Sequence, residues 1–262
     1  MPPVTTPNGE RLRALGMFPE NLPSVFSGSS LDAHFAPHVG SYVVNRQCVA
    51  SPVAVSASKR GGQRRLFAVP HPIFLHDAAV FFERHWDTLG PQIHGSPISV
   101  SKPEFPPDHV RAVRITPQSA LPRHRLERLG RYRFCAVTDV ARFYPSIYTH
   151  SIPWAVNGKV AAKNDTRVQS AAVFGNRLDF IVRQGQDRQT VGIPVGPDVS
   201  RIISEVILSR VDDDLCSLTK LARKATVTRA SPCASEQADT SGIVHMYPRH
   251  RFCPVRRLGN SP

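Results

Sequence analysis

The sequence predicts an α+β fold, and three observations predict it. A short apolar run, Phe134 to Thr138, stops at an acid, as a buried strand does when it reaches solvent. A basic segment from Lys59 to Phe67 sets Gly61-Gly62 between two strand-prone stretches and reads as a hairpin. Helical spacing recurs at Leu75, Ala78, Ala79, Phe82 and Trp86, again at Ala171, Phe174, Leu178 and Ile181, and again at Ile202, Ile203, Val206 and Ile207.

The bulk properties fit a folded domain with a polyanionic partner. Hydrophobic residues make up 41% and charged residues 20% of the 262 residues, which is enough apolar material for a core. A net charge of +13 at neutral pH and a pI near 10.2 attract polyanions, and nucleic acid is the commonest of these. The same charge also suits a merely solvated basic surface. No run of about 18 apolar residues occurs, so no membrane partner is expected. The N-terminus lacks an apolar leader, and the odd cysteine count includes no CxxC pair. These features predict a cytoplasmic protein without a disulfide framework. No GxSxG, Walker A or HExxH string is present, so hydrolase and nucleoside-triphosphatase chemistry have no support.

Four regions follow along the chain. Residues 1–40 read as an N-terminal extension that wraps a neighbouring surface without making a core. Residues 41–130 hold the hairpin, its return strand ended by Pro70, and the helix around residues 75–86; 88–122 are rich in Pro and carry little period. Residues 131–214 hold the buried strand, a turn and helix start at Pro145-Ser146, a helix over 167–182, a Gly-Pro loop at 190–200 and a helix from Ser200, its expected N-cap. Residues 215–262 read as an irregular basic tail.

Two strings carry the chemistry: FCAVTDVARFYPSIYTHSI at 134–152 and TVGIPVGPDVSRIISEVIL at 190–208. Asp139 ends the buried strand, where a carboxylate is rigid and near water. That suits Mg²⁺, which favours carboxylates and keeps several waters; by itself such an Asp serves equally to cap the following turn. In the second string Gly192 and Gly196 permit close backbone approach, while Pro194 and Pro197 stiffen the loop. Together the strings resemble the palm of reverse transcriptases, and most closely the abortive-infection and defence-associated bacterial branch. The resemblance covers roughly residues 18–214.

The resemblance implies a right-hand polymerase with fingers over 41–130 and a partial palm over 131–214. It implies RNA-directed DNA synthesis of an antiphage type, from an RNA template, a DNA or RNA primer and dNTPs, with a partner RNA or protein of a defence system. It places Mg²⁺ on Asp139 and on the backbone carbonyl of Val140. It makes Tyr144 the wall against a 2′-hydroxyl, and puts Lys59 and Arg65, with Arg64 next, on the triphosphate. Gly192, Pro194 and Gly196 become the nucleotide-facing loop. The hairpin also reads as a plain solvated one, Phe143 as a core aromatic, and Tyr144 as another. Val195 departs from the Gln that many relatives carry, which leaves template and nucleotide contacts open.

A working palm needs a second string, an aromatic-x-Asp-Asp hairpin on the neighbouring strand, and then a thumb. Neither is expected here. Val211-Asp212-Asp213-Asp214 continues the helix begun at Ser200 and reads as a solvated helix end. Beyond Leu221 the chain is rich in Arg, Ser, Pro and Cys, which suggests out-of-frame translation and an inactive fragment. A non-catalytic nucleic-acid-binding remnant and a template-independent DNA polymerase are the alternatives. A zinc site from Cys233, His245, His250 and Cys253 is the rival reading of the tail.

Overall fold

The computed structural model describes residues 6–23, 25–38, 40–58, 64–129, 132–138, 140–222, 226–228 and 243–248. Helix and sheet are mixed, as an α+β chain requires. In order come α1 (Gly9–Leu15), α2 (Ser29–Phe35), β1 (Val53–Ser58), β2 (Arg64–Val69), α3 (Pro72–Gly95), α4 (Leu121–Leu129), β3 (Tyr132–Thr138), the single turn α5 (Phe143–Ser146), α6 (Ser151–Asn157), α7 (Lys159–Asn164), α8 (Gly175–Gln184), α9 (Asp198–Ala222), β4 (Thr226–Thr228) and β5 (Ile243–Pro248).

The core is helical. Long α3 supplies Leu75, Ala79, Phe82, Trp86, Leu89 and Ile93; α8 supplies Leu178 and Ile181; α9 supplies Ile202, Ile203 and Val206. These are positions three and four apart on each helix, so one stripe of each turns inward. Helix α3 runs past the expected end of its pattern. Pro72 opens it at a position that needs no N–H, and Pro91 is carried inside it. Gly90 is required there, because a Cβ would meet Trp86 Nε1 at 2.9 Å.

The hairpin forms as the basic segment predicts. Strands β1 and β2 pair antiparallel from Val53↔Val69 to Ser58↔Arg64; Lys59 to Gln63 lie outside the described residues. Strand β3 lies in a second sheet ordered β3-β5-β4, with Thr138 opposite Ile243 and Cys135 opposite Met246.

Several sequence expectations are corrected. The N-terminal extension does enter the core: Leu12 and Met17 are buried in it. The tail is not wholly irregular, since β4 and β5 come from it. The helix expected over 167–182 begins only at Gly175. Ahead of it, Asp165 takes the Arg167 N–H at 3.1 Å and the Ser170 hydroxyl at 2.7 Å, and Asn176 donates to the Asp165 and Arg167 carbonyls. Such local side-chain bonds hold a loop where the apolar period alone suggests helix. Ser200 is not the cap of α9 but lies inside its first turn, which opens at Asp198. Asp212 is not solvated: it is fully buried and accepts the Ser96 hydroxyl at 2.6 Å.

Candidate functional site

The two motif strings meet through their backbones. Ile193 N–H donates to the Tyr144 carbonyl at 3.0 Å, Gly192 N–H to the Ile147 carbonyl at 2.7 Å, and Thr149 N–H to the Thr190 carbonyl at 2.9 Å. Tyr148 and Val191 form an antiparallel bridge between them. The hairpin joins the same place, since Ala68 N–H of β2 donates to the Val195 carbonyl at 2.9 Å. Three segments far apart in sequence thus share one short stretch of loop.

The glycines make this possible. Gly192 has φ +92° and Gly196 φ +117°, values that side-chain-bearing residues rarely adopt. A Cβ on Gly192 would stand 3.3 Å from the Pro145 carbonyl oxygen, and one on Gly196 would stand 2.7 Å from Pro19 Cγ. Pro194 lines a small apolar cavity with Pro70, Phe74 and Ile203, while Val195 is half-buried against the core. Arg142, just before α5, is held at φ 51°, a left-handed conformation uncommon for a residue with a side chain.

An ion pair anchors the far end of the loop. Asp198 is fully buried. Its Oδ1 accepts from Arg111 Nη2 at 2.5 Å, its Oδ2 from Val113 N–H at 3.1 Å, and its own N–H donates to the Gly16 carbonyl at 2.8 Å. Burial pushes its carboxyl above the usual range, with Arg111 and Arg201 opposing. Arg111 also donates to the Phe18 carbonyl at 2.5 Å and the Gly196 carbonyl at 3.3 Å, so one guanidinium ties the loop to the N-terminal segment. The sequence reading missed both residues. The available signal was an acid directly after Gly-Pro and ahead of an apolar helix face, an inward-facing position.

The remaining expected site residues divide. Arg65 and Arg64 alternate across β2: Arg65 lies over the Phe67 ring at 5.1 Å, whereas Arg64 donates to the Ser56 hydroxyl and carbonyl of β1. Lys59 and Asp139 lie outside the described residues. Val140 is half exposed. Tyr144 is 1% exposed, with its hydroxyl 3.5 Å from Ser204 Oγ. Mg²⁺ has no complete ligand set among the described residues, where no three His, Cys, Asp or Glu side chains gather. In the tail His245 falls in β5, while Cys233, His250 and Cys253 lie outside the described residues. No helix of the described residues is long and apolar enough to cross a membrane.

No protein-family model and no curated protein matches this chain.

Proposed function

We propose that the chain is a nucleic-acid-binding module of reverse-transcriptase type, with a fingers hairpin and a palm loop but incomplete polymerase chemistry. The observation that carries the reading is the meeting of β2, the FYPSIYTHSI string and the GIPVGP loop through the bonds Ala68–Val195, Ile193–Tyr144 and Gly192–Ile147. A polymerase of this type needs those three segments side by side, because the hairpin cations and the loop backbone must reach the same nucleotide. The net charge of +13 supplies the attraction for a phosphate backbone.

Among the described residues the chemistry is incomplete in its acids. Nucleotidyl transfer by two metals needs carboxylates on facing strands. Asp139 supplies one. Asp198 and Asp212 are committed to Arg111 and Ser96 inside the core. The reading is therefore a binding function built on a polymerase frame, with RNA, DNA or a hybrid as ligand.

The test is binding of labelled single-stranded and duplex oligonucleotides across a salt series. Affinity should fall steeply as salt rises, because each phosphate contact releases counterions. Substituting Arg64 and Arg65 together by Ala should shallow the salt slope by about one to two units. Absence of binding at low salt, or a flat response, overturns the reading.

A further inference from the structure

A cleft opens between α6, α7 and α8, with a volume of about 260 Å³. Its walls include His150, Trp154, Lys163, Asp179 and Arg183. Asp179 is its one acid and is 4% exposed. Asp179 Oδ2 accepts from His150 Nδ1 at 2.9 Å and stands 3.2 Å from Arg183 Nε. A carboxylate only accepts, so His150 carries its proton on Nδ1 and keeps Nε2 as the spare ring nitrogen. Asp179 Oδ1 is buried with no hydrogen-bond partner, a rare condition that calls for a missing donor.

Around this acid stand three cationic or proton-bearing groups, His150, Lys163 and Arg183, and the Trp154 ring. Lys163 is exposed at the rim. The Tyr148 ring is 4.9 Å from His150 and 5.6 Å from the Trp154 ring, and Tyr148 is 41% exposed. The Lys159 ammonium stands 5.0 Å from the Trp154 centroid. Free phosphate would use the cations and leave the rings idle; a neutral aromatic would use the rings and leave the cations idle. A nucleotide uses both, since its base stacks and its phosphate takes Lys and Arg.

We infer that the cleft lined by His150, Trp154, Lys163, Asp179 and Arg183 binds one nucleotide, as a unit of a single strand or free. Lys163 and Arg183 take the phosphate, the Trp154 ring takes the base, and Asp179 holds His150 and Arg183 in place while offering Oδ1 to a donor of the ligand. The preference for a strand over a free nucleotide rests on the nucleic-acid reading above; the site itself rests on its own side chains.

Tryptophan fluorescence tests it directly. Trp86 is buried in the core, so quenching by ligand reports Trp154 at the cleft. The probes are a short oligothymidylate, thymidine monophosphate and inorganic phosphate. Saturable quenching by the oligomer and the mononucleotide, but not by phosphate alone, is expected. Quenching by the oligomer only assigns a strand; equal quenching by the mononucleotide assigns a free nucleotide. Lys163→Gln, at an exposed position outside the Asp179 pairings, should weaken the response roughly tenfold. Arg183→Gln should weaken it at least as much, with thermal melting confirming the fold of both. No quenching by either thymidine ligand, or quenching unchanged in both variants, overturns the inference. If the oligomer still binds by fluorescence polarisation in a salt-dependent way without quenching, this cleft fails and the nucleic-acid reading stands. If the oligomer does not bind at all, both fail.

Discussion

Ile193 donates its backbone N–H to the carbonyl of Tyr144 at 3.0 Å, which locks the Gly-Pro loop onto the turn that follows β3. The residue before Ile193, Gly192, sits at φ +92°. Gly192→Ala should therefore cost about 1–3 kcal/mol in urea unfolding, the usual strain of a side chain in a sparsely populated backbone region. Gly196→Ala should cost more, because its Cβ would also overlap the Pro19 ring at 2.7 Å. A Gly192→Ala protein as stable as the parent would mean that the loop is not clamped in this way.

The Asp198–Arg111 pair predicts a non-additive mutant cycle. Asp198→Ala leaves the Arg111 guanidinium inside the protein without its carboxylate, which should cost roughly 3–5 kcal/mol. Arg111→Leu made on top of it removes the stranded charge, so the double variant should be more stable than the sum of the single losses. Chemical denaturation of the four proteins measures this. Strict additivity would show that the two side chains do not depend on each other.

Acid should loosen the 165–174 loop before the helical core. Hydrogen bonds from Arg167 and Ser170 hold the Asp165 carboxyl well below the usual range. A depressed carboxyl contributes stability in full above its unfolded value, near 3.8. That contribution is lost progressively as pH falls below this value toward the folded one. Amide exchange at Arg167 and Val173 should accelerate over that window, while amides of α9 stay protected. In Asp165→Asn the protection of these amides, measured against their intrinsic exchange rates, should be low already and unchanged over the same range. An unchanged pH response in that variant would place the switch elsewhere.

Periodicity and turn chemistry made much of the fold legible, and long-range polar contacts hid the rest. The helices through Phe82, Leu178 and Ile203 follow from local pattern, because the residues that bury themselves are the ones that repeat, and the hairpin and β3 follow from strand-prone runs. Helix α8 starts later than its pattern because Asp165 and Asn176 spend their hydrogen bonds on the loop backbone. Asp212 looked like a solvated acid because its partner, Ser96, caps a helix from another part of the chain. Arg111 sits in a stretch without period, and its role depends on Phe18, Gly196 and Asp198 together. Of the expected site, the loop glycines were readable from the string alone. The burial of Tyr144 was not, since an aromatic after a strand suits a core and a binding wall equally.

The last prediction is that this chain does not extend a primer. Two-metal transfer needs carboxylates from strands that face one another. Asp139 follows β3 in the sequence, but among the described residues the strand beside β3 is β5, whose residues Ile243 to Pro248 include no acid. The Asp212 to Asp214 run cannot take its place. It lies on α9, which is continuous from Asp198 to Ala222. At about 1.5 Å per residue, Asp212 is roughly 20 Å along the axis from the loop. Asp212 is also held inside the core by Ser96, and Asp214 is 68% exposed beside Arg210. A clamp with acids on one side only lacks the dominant electrostatic stabilisation of the transferring phosphate, so on the proposed reading no rate above background is expected. Primer extension with Mg²⁺ or Mn²⁺ on the purified protein, beside Asp139→Ala, decides it. Extension by the parent that vanishes in Asp139→Ala would mean that a second carboxylate reaches the end of β3 by a route that the described residues do not contain.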